Sequence, residues 1–178
     1  MRLLFTTLAA FSLVVLNVGA VRADKVTLKG THLCCGQCIN VAKATLTKVE
    51  GVSDVKIDGK EQVVSFTAKD DKVASAALKA MVAAGFYGTA TKDDKDFPIE
   101  TPEVKKGTVS DTVTIKDVHV CCGSCKSGVE KALKEKKVTV TYEGKGVMKS
   151  VIIMGKSLDA AEMIRLLQKA GYTGTVEK

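Results

Sequence analysis

The sequence predicts an α+β protein built from two small units of one kind, and three observations carry that prediction. A thirteen-residue stretch occurs twice, as VTLKGTHLCCGQC from Val26 and as VTIKDVHVCCGSC from Val113. The spacing persists downstream: Cys35 to Cys122 is a shift of 87 positions, and Ala84-Gly85 recurs as Ala170-Gly171 after a shift of 86. Each copy also opens the same succession of strand, helix, strand, strand, helix, strand. Agreement at these three levels marks a duplicated domain.

In the first unit, residues 25–28 alternate polar and apolar as a short strand, and Gly30 starts a loop. Ile39, Ala42, Leu46 and Val49 then fall at helical spacing over residues 38–49, and Gly51 ends that helix. Residues 52–58 and 62–67 form a hairpin about Asp58-Gly59. Val73, Ala76, Ala77, Ala80, Met81 and Ala84 give a second amphipathic helix over residues 70–84, stopped by Gly85, and residues 87–91 suffice for a last strand.

The second unit repeats the order: strand 111–116, cysteine loop, helix 124–135, strands 138–143 and 150–154 about Gly144 and Gly146, helix 158–170 with Ser157 as N-cap, and strand 172–176. In a unit this small, that order is the ferredoxin-like split β-α-β arrangement. The expected organisation is a signal peptide at residues 1–23, a first domain at 24–92, a polar linker at 93–110 and a second domain at 111–178. The linker holds both prolines of the chain, Pro98 and Pro102, among mixed charges, a composition that does not fold by itself. If flexible, it spans on the order of 20 to 25 Å, which lets the domains sit side by side or face each other.

Composition narrows the function. Each unit, at roughly 65 to 70 residues, is close to the smallest size at which one core suffices. Trp is absent and aromatics are only 4% of the chain, so packing falls to Val, Ala and Leu. The net charge of +7 comes from lysines scattered along the chain, without an arginine-rich run or interleaved aromatics, and so reads as solvated surface and not as a nucleic-acid footprint.

The first 23 residues place Arg2 before an apolar stretch and end in Val21-Arg22-Ala23, the order of a secretory signal cleaved after Ala23. An uncleaved anchor is the other reading of that stretch. With the signal removed, nothing downstream is apolar enough to span a membrane, and the product is expected to be periplasmic or secreted. An oxidising compartment permits disulfides, yet two tight cysteine clusters close no long loop and make a poor scaffold.

All six cysteines and both histidines lie in the two repeated loops. Concentrating the chain's soft and borderline ligands there points to a thiophilic metal. Cys35-Gly36-Gln37-Cys38 and Cys122-Gly123-Ser124-Cys125 are Cys-x-x-Cys pairs placed where a strand hands over to a helix. One cysteine sits in the loop and the other in the first turn, so both sulfurs meet the unpaired backbone N–H groups of the helix start. That field lowers thiol pKa values and favours the thiolate, the form that binds metal. Two thiolates on a monovalent ion leave one negative charge, which a helix N-terminus holds well.

Each unit resembles the heavy-metal-associated domain family of small copper chaperones, mercury-binding periplasmic proteins and the metal-binding domains of heavy-metal ATPases. The family signature is Met-x-Cys-x-x-Cys after the first strand of a βαββαβ fold. The resemblance runs almost the length of both units and includes Gly85-Phe86-Tyr87 and Gly171-Tyr172 before the last strand. It implies metal binding by Cys35 and Cys38 and by Cys122 and Cys125, with aromatic shielding from Phe86, Tyr87 and Tyr172. Cu(I) is the favoured ion, with Zn(II), Cd(II) or Hg(II) behind it. A metal-transporting ATPase or another metal-accepting protein is the implied partner.

Two departures stand out. Leu33 and Val120 replace the signature Met, an exchange a core position tolerates. The residue before the first ligand is itself cysteine, Cys34 and Cys121, and His32 and His119 precede it by two. His-x-Cys-Cys-Gly-x-Cys offers three sulfurs and a nitrogen, the set of closed zinc sites. Adjacent residues of an extended segment point to opposite sides, so Cys34 and Cys35 do not share an ion unless the loop bends strongly. The expectation is a two-sulfur primary site, with Cys34 and Cys121 as auxiliary ligands, against a structural or redox-protective role for them. For His32 and His119 it is a loop side chain bonded to backbone or water. Met81, Met148, Met154 and Met163 are expected in the core and not in a copper cluster.

Three functions fit this reading. The first is an exported carrier that takes up to one thiophilic ion per domain and passes it on by ligand exchange. A protein that senses or sequesters metal without a transfer partner reads the same in sequence. The third is a periplasmic thiol–disulfide oxidoreductase, for which an exported Cys-x-x-Cys at a helix start is also expected. Against that third reading, thioredoxin-like enzymes set a proline opposite their cysteines, and here both prolines are in the linker.

Overall fold

The computed structural model describes residues 23–104, 107 and 109–177. The expected signal segment, except Ala23, lies outside the described residues, and no helix among them is long and apolar enough to cross a membrane. The first unit comprises β1 (Asp24–Lys29), α1 (Gly36–Thr47), β2 (Val52–Asp58), β3 (Val63–Ala68), α2 (Asp71–Ala83), β4 (Thr89–Lys92) and β5 (Lys95–Phe97). The second comprises β6 (Val109–His119), α3 (Gly123–Leu133) with a 3-10 turn at Lys134–Lys136, β7 (Thr139–Glu143), β8 (Met148–Asp159), α4 (Ala160–Lys169) and β9 (Thr175–Val176).

The sheets run β2-β3-β1-β4-β5 and β7-β8-β6-β9, antiparallel throughout. Both place the first strand of the unit centrally, between its third and its fourth, as the βαββαβ order requires, and the mixed α+β class is that expected of the sequence. One face of each sheet is apolar because side chains alternate along a strand. Val26 stands opposite Phe66 and Leu28 opposite Val64, and in the second sheet Val113 faces Ile153 and Ile115 faces Val151. These residues are buried under Ala42, Leu46, Leu78 and Met81 of the first helix pair, and under Val129, Leu133, Met163 and Leu167 of the second. Met81 and Met163 are core as expected, whereas Met154 stands at the surface.

Two elements differ from expectation for local reasons. Within residues 93–110, expected as linker, β5 folds back on β4 with Lys92 opposite Lys95. Asp93 and Asp94 both adopt positive φ, the conformation of a tight two-residue hairpin turn. Ile99 and Val104 then pack against the core, so part of this segment is bound to the protein.

Ser157 does not cap α4. It lies within β8 at φ 51°, and Asp159 is the cap, its carboxylate accepting from the amides of Ala161 and Glu162. Leu158 is buried as part of the strand, which delays the helix by two residues. Asp70 caps α2 in the same manner through the amide of Val73, a contact worth about 1 kcal/mol.

The units dock through the segments that follow α2 and α4. The Tyr87 amide donates to the Gly171 carbonyl at 3.1 Å, the Thr173 amide donates to the Gly85 carbonyl at 3.2 Å, and Phe86 pairs with Tyr172 between them. A Cβ at Gly85 would lie 2.4 Å from the His119 nitrogen of the backbone, and one at Gly171 would lie 2.4 Å from that of His32. Both glycines also have positive φ. The backbones approach this closely only because neither position carries a side chain.

Candidate metal centre

Docking brings the two cysteine loops together. Each loop ends at a helix whose N-cap is the first cysteine of the Cys-x-x-Cys pair. Cys35 is extended at φ −155° and its carbonyl accepts from Ile39; Cys122 is extended at φ −152° and accepts from Lys126. The second cysteine, Cys38 or Cys125, falls in the first helical turn and is buried. Leu33 and Val120, where the family signature has Met, are buried in the core.

Within each loop the pair sulfurs are close, 3.5 Å for Cys35–Cys38 and 3.7 Å for Cys122–Cys125. Sulfurs of opposite loops are as close: Cys34–Cys125 at 3.3 Å, Cys35–Cys121 at 3.4 Å, Cys38–Cys121 at 3.5 Å, Cys38–Cys125 at 3.8 Å and Cys34–Cys122 at 3.9 Å. Cys34 and Cys121 also reach their own loop's helical cysteine, at 3.7 Å and 3.6 Å. Cys34 thus joins Cys35 and Cys38 in one triad of sulfurs. The loop bends enough to bring adjacent cysteines to one side, which an extended segment would not allow. All six thiols are free.

The electrostatics follow from burial and from these contacts. Burial would raise Cys35, but the amides of Cys38 and Gln37 and the thiols of Cys121 and Cys38 outweigh it and bring Cys35 down to about 7. This is the effect expected at a helix start. Cys34 is pushed up to about 12, first by burial and then by the neighbouring Cys125. Burial likewise raises Cys121. Cys38 and Cys125 occupy equivalent places and share the first charge: the thiol of one stabilises the thiolate of the other, with Cys125 held low and Cys38 high.

His32 and His119 sit behind the sulfurs, 3% and 0% exposed, and with Cys38 they form a further cluster of ligand atoms. The His32 Nδ1 lies 3.0 Å from the Gly171 carbonyl of the other unit, while its Nε2 and both nitrogens of His119 have no hydrogen-bond partner. Burial, then the proximity of His32, lowers His119 to about 4, so it is neutral at physiological pH. Two stacked aromatics flank the pair: Phe86 lies 5.1 Å from His32 and 4.8 Å from His119, ring to ring. Tyr172 also donates its hydroxyl to the Cys125 carbonyl at 3.2 Å.

Cys34 is the most exposed of the six cysteines and opens onto a groove of about 540 Å³ lined by His32, Gln62, Lys131, Lys169 and Tyr172. All eight residues singled out in the sequence therefore meet in one place, and Phe86 and Tyr172 pack against it. The meeting of the loops across the units had no signal in the sequence beyond the duplication itself.

Residues 27–87 match the heavy-metal-associated domain. The first unit belongs to that family. A comparison with curated proteins gave no match. The heavy-metal-associated domain binds heavy-metal ions, and the donor set suits that cargo: clustered sulfurs, two of them at helix N-termini, with the thiol of Cys35 already part-ionised near neutral pH.

Proposed function

We propose that this protein is an exported carrier or store of thiophilic metal ions, Cu(I) foremost, which it binds through Cys35 and Cys38 and through Cys122 and Cys125. The convergence of all six sulfurs within 3.3 to 3.9 Å of their neighbours carries this reading. Soft sulfur donors select Cu(I) over the hard cations and accept Zn(II), Cd(II) and Hg(II) as competitors. Export to the periplasm or beyond rests on the signal-like order of residues 1–23. The groove beside Cys34 gives a partner's thiolates a point of entry, and its two lysines suit an acidic metal-accepting protein such as a transport ATPase domain. The protein works by ligand exchange and not by catalysis.

Anaerobic reconstitution of the chain lacking residues 1–23 with competing Cu(I) and Zn(II) tests this. The expected result is retention of Cu(I) with sulfur-to-metal charge-transfer absorption, lost when Cys35, Cys38, Cys122 and Cys125 are replaced by Ser. Failure to retain any thiophilic ion, or uptake unaffected by those replacements, refutes it. Turnover in an insulin-reduction assay would instead favour the oxidoreductase.

A further inference from the structure

The six sulfurs are not two pairs that happen to be near each other. Contacts between the loops, at 3.3 to 3.9 Å, bracket those within the Cys-x-x-Cys pairs, at 3.5 and 3.7 Å. Four triads share them: Cys34-Cys35-Cys38, Cys34-Cys122-Cys125, Cys35-Cys121-Cys122 and Cys38-Cys121-Cys125. Every cysteine belongs to two of these triads, and any two triads share one cysteine. That is the relation among alternate faces of an octahedron. Cys34 stands opposite Cys121, Cys35 opposite Cys125 and Cys38 opposite Cys122.

We propose that the two loops form one polynuclear site for up to four Cu(I) ions, each held by a triad of thiolates, with every cysteine bridging two ions. The proposal rests on the metal-binding reading above and goes beyond one ion per unit. At a metal–sulfur distance of roughly 2.3 Å, three sulfurs around a planar three-coordinate ion are about 4.0 Å apart. The observed edges need open by less than about 0.7 Å to reach that spacing. Tetrahedral zinc needs four ligands apiece, and six sulfurs grouped in threes suit a three-coordinate monovalent ion better.

The charge balance is consistent with the surroundings. Six thiols release six protons, four Cu(I) ions enter without change of oxidation state, and the cluster carries two negative charges. The N-termini of α1 and α3 both point at it, one positive end for each unit. Neutral His119, both of whose ring nitrogens are unpartnered, is buried beside Cys38 and is placed to donate its one N–H to bridging sulfur, while His32 donates its own to the Gly171 carbonyl. Cys34 and Cys121 are then full members of the site: without them only one of the six sulfurs' diagonals is lost, but every triad loses a corner.

The test is titration of the reduced protein, from Asp24 on, with Cu(I) supplied by a weak competing chelator under anaerobic conditions. It is followed by native mass spectrometry and by X-ray absorption at the copper edge. The expected result is all-or-none appearance of a four-copper species, three sulfurs per copper and a short copper–copper vector. The double variant C34S/C121S, its fold checked by circular dichroism, should fall from four ions to two or fewer and lose that vector. Saturation at two ions with two sulfurs each and no copper–copper vector, or an unchanged stoichiometry in C34S/C121S, overturns the cluster and leaves the metal-carrier reading standing. Retention of no copper at all overturns both.

Discussion

His32 of the first loop lies flat on Tyr172 of the second unit, ring centroids 3.8 Å apart and planes 17° from parallel. The tyrosine hydroxyl reaches on to the Cys125 carbonyl at the start of α3. One side chain thus ties the first loop, the second loop and the segment after α4. Replacing Tyr172 by Ala should cost about 3 to 5 kcal/mol, the usual loss for a buried aromatic, while Phe should cost only about 1 kcal/mol for the hydrogen bond. Urea unfolding of the reduced, metal-free protein measures both. Equal losses for the two variants would mean that the stack contributes nothing.

Gly171 tests the docking itself. A Cβ there would meet the His32 amide nitrogen at 2.4 Å and the Gly30 carbonyl at 2.5 Å, both backbone atoms of the other unit. The φ of +84° adds strain for any L-residue, about 1 kcal/mol. Gly171→Ala is expected to separate the units, enlarging the particle in small-angle scattering and exposing Cys38 and Cys125 to alkylation. A variant as compact as the parent, with those thiols still protected, would show that the interface closes without this approach.

The duplicated order and the helix stop at Gly85 are legible because each rests on local chemistry: periodicity and a turn residue. The β4–β5 turn is not, since Asp93 and Asp94 read as part of a charged stretch and only their positive φ values reveal a hairpin. Ser157 and Asp159 are both good caps by residue type, and burial of Leu158 in β8 decides for Asp159. The facing of the loops is written in backbone pairing, Tyr87 to Gly171 and Thr173 to Gly85. Backbone amides carry no sequence signature. The burial of His32 and His119 follows from that docking and was hidden with it.

Stability should depend on pH through His119. Its folded pKa, about 4, lies below the ordinary 6.5, so the unfolded chain binds more protons between these values. Stability from the neutral imidazole is therefore fully present above about pH 7 and is lost as pH falls from 6.5 towards 4, with a slope approaching 1.4 kcal/mol per unit. Unfolding of the metal-free protein across that range measures the slope, and His119→Gln should flatten it. A parent protein whose stability is level from pH 7 to 4.5 would rule out a buried neutral His119.

Thiol reactivity should run against exposure. Cys34 is the most exposed of the six cysteines, yet burial of its thiol and the nearby Cys125 push it up to about 12, whereas Cys35, a part-buried residue, is lowered to about 7 by the amides and thiols around it. The thiolate is the nucleophile. Near pH 7 about half of Cys35 is ionised and almost none of Cys34, a difference that exceeds the opposing effect of access. Alkylation of the reduced, metal-free protein with iodoacetamide should therefore label Cys35 at least ten-fold faster than Cys34, read by peptide mass spectrometry. Raising the pH from 7 to 9 should narrow the gap, because Cys35 only doubles its thiolate while the small thiolate fraction of Cys34 rises about a hundred-fold. Faster labelling of Cys34 would mean that access and not thiolate character governs this cluster, and that the helix start does not activate Cys35.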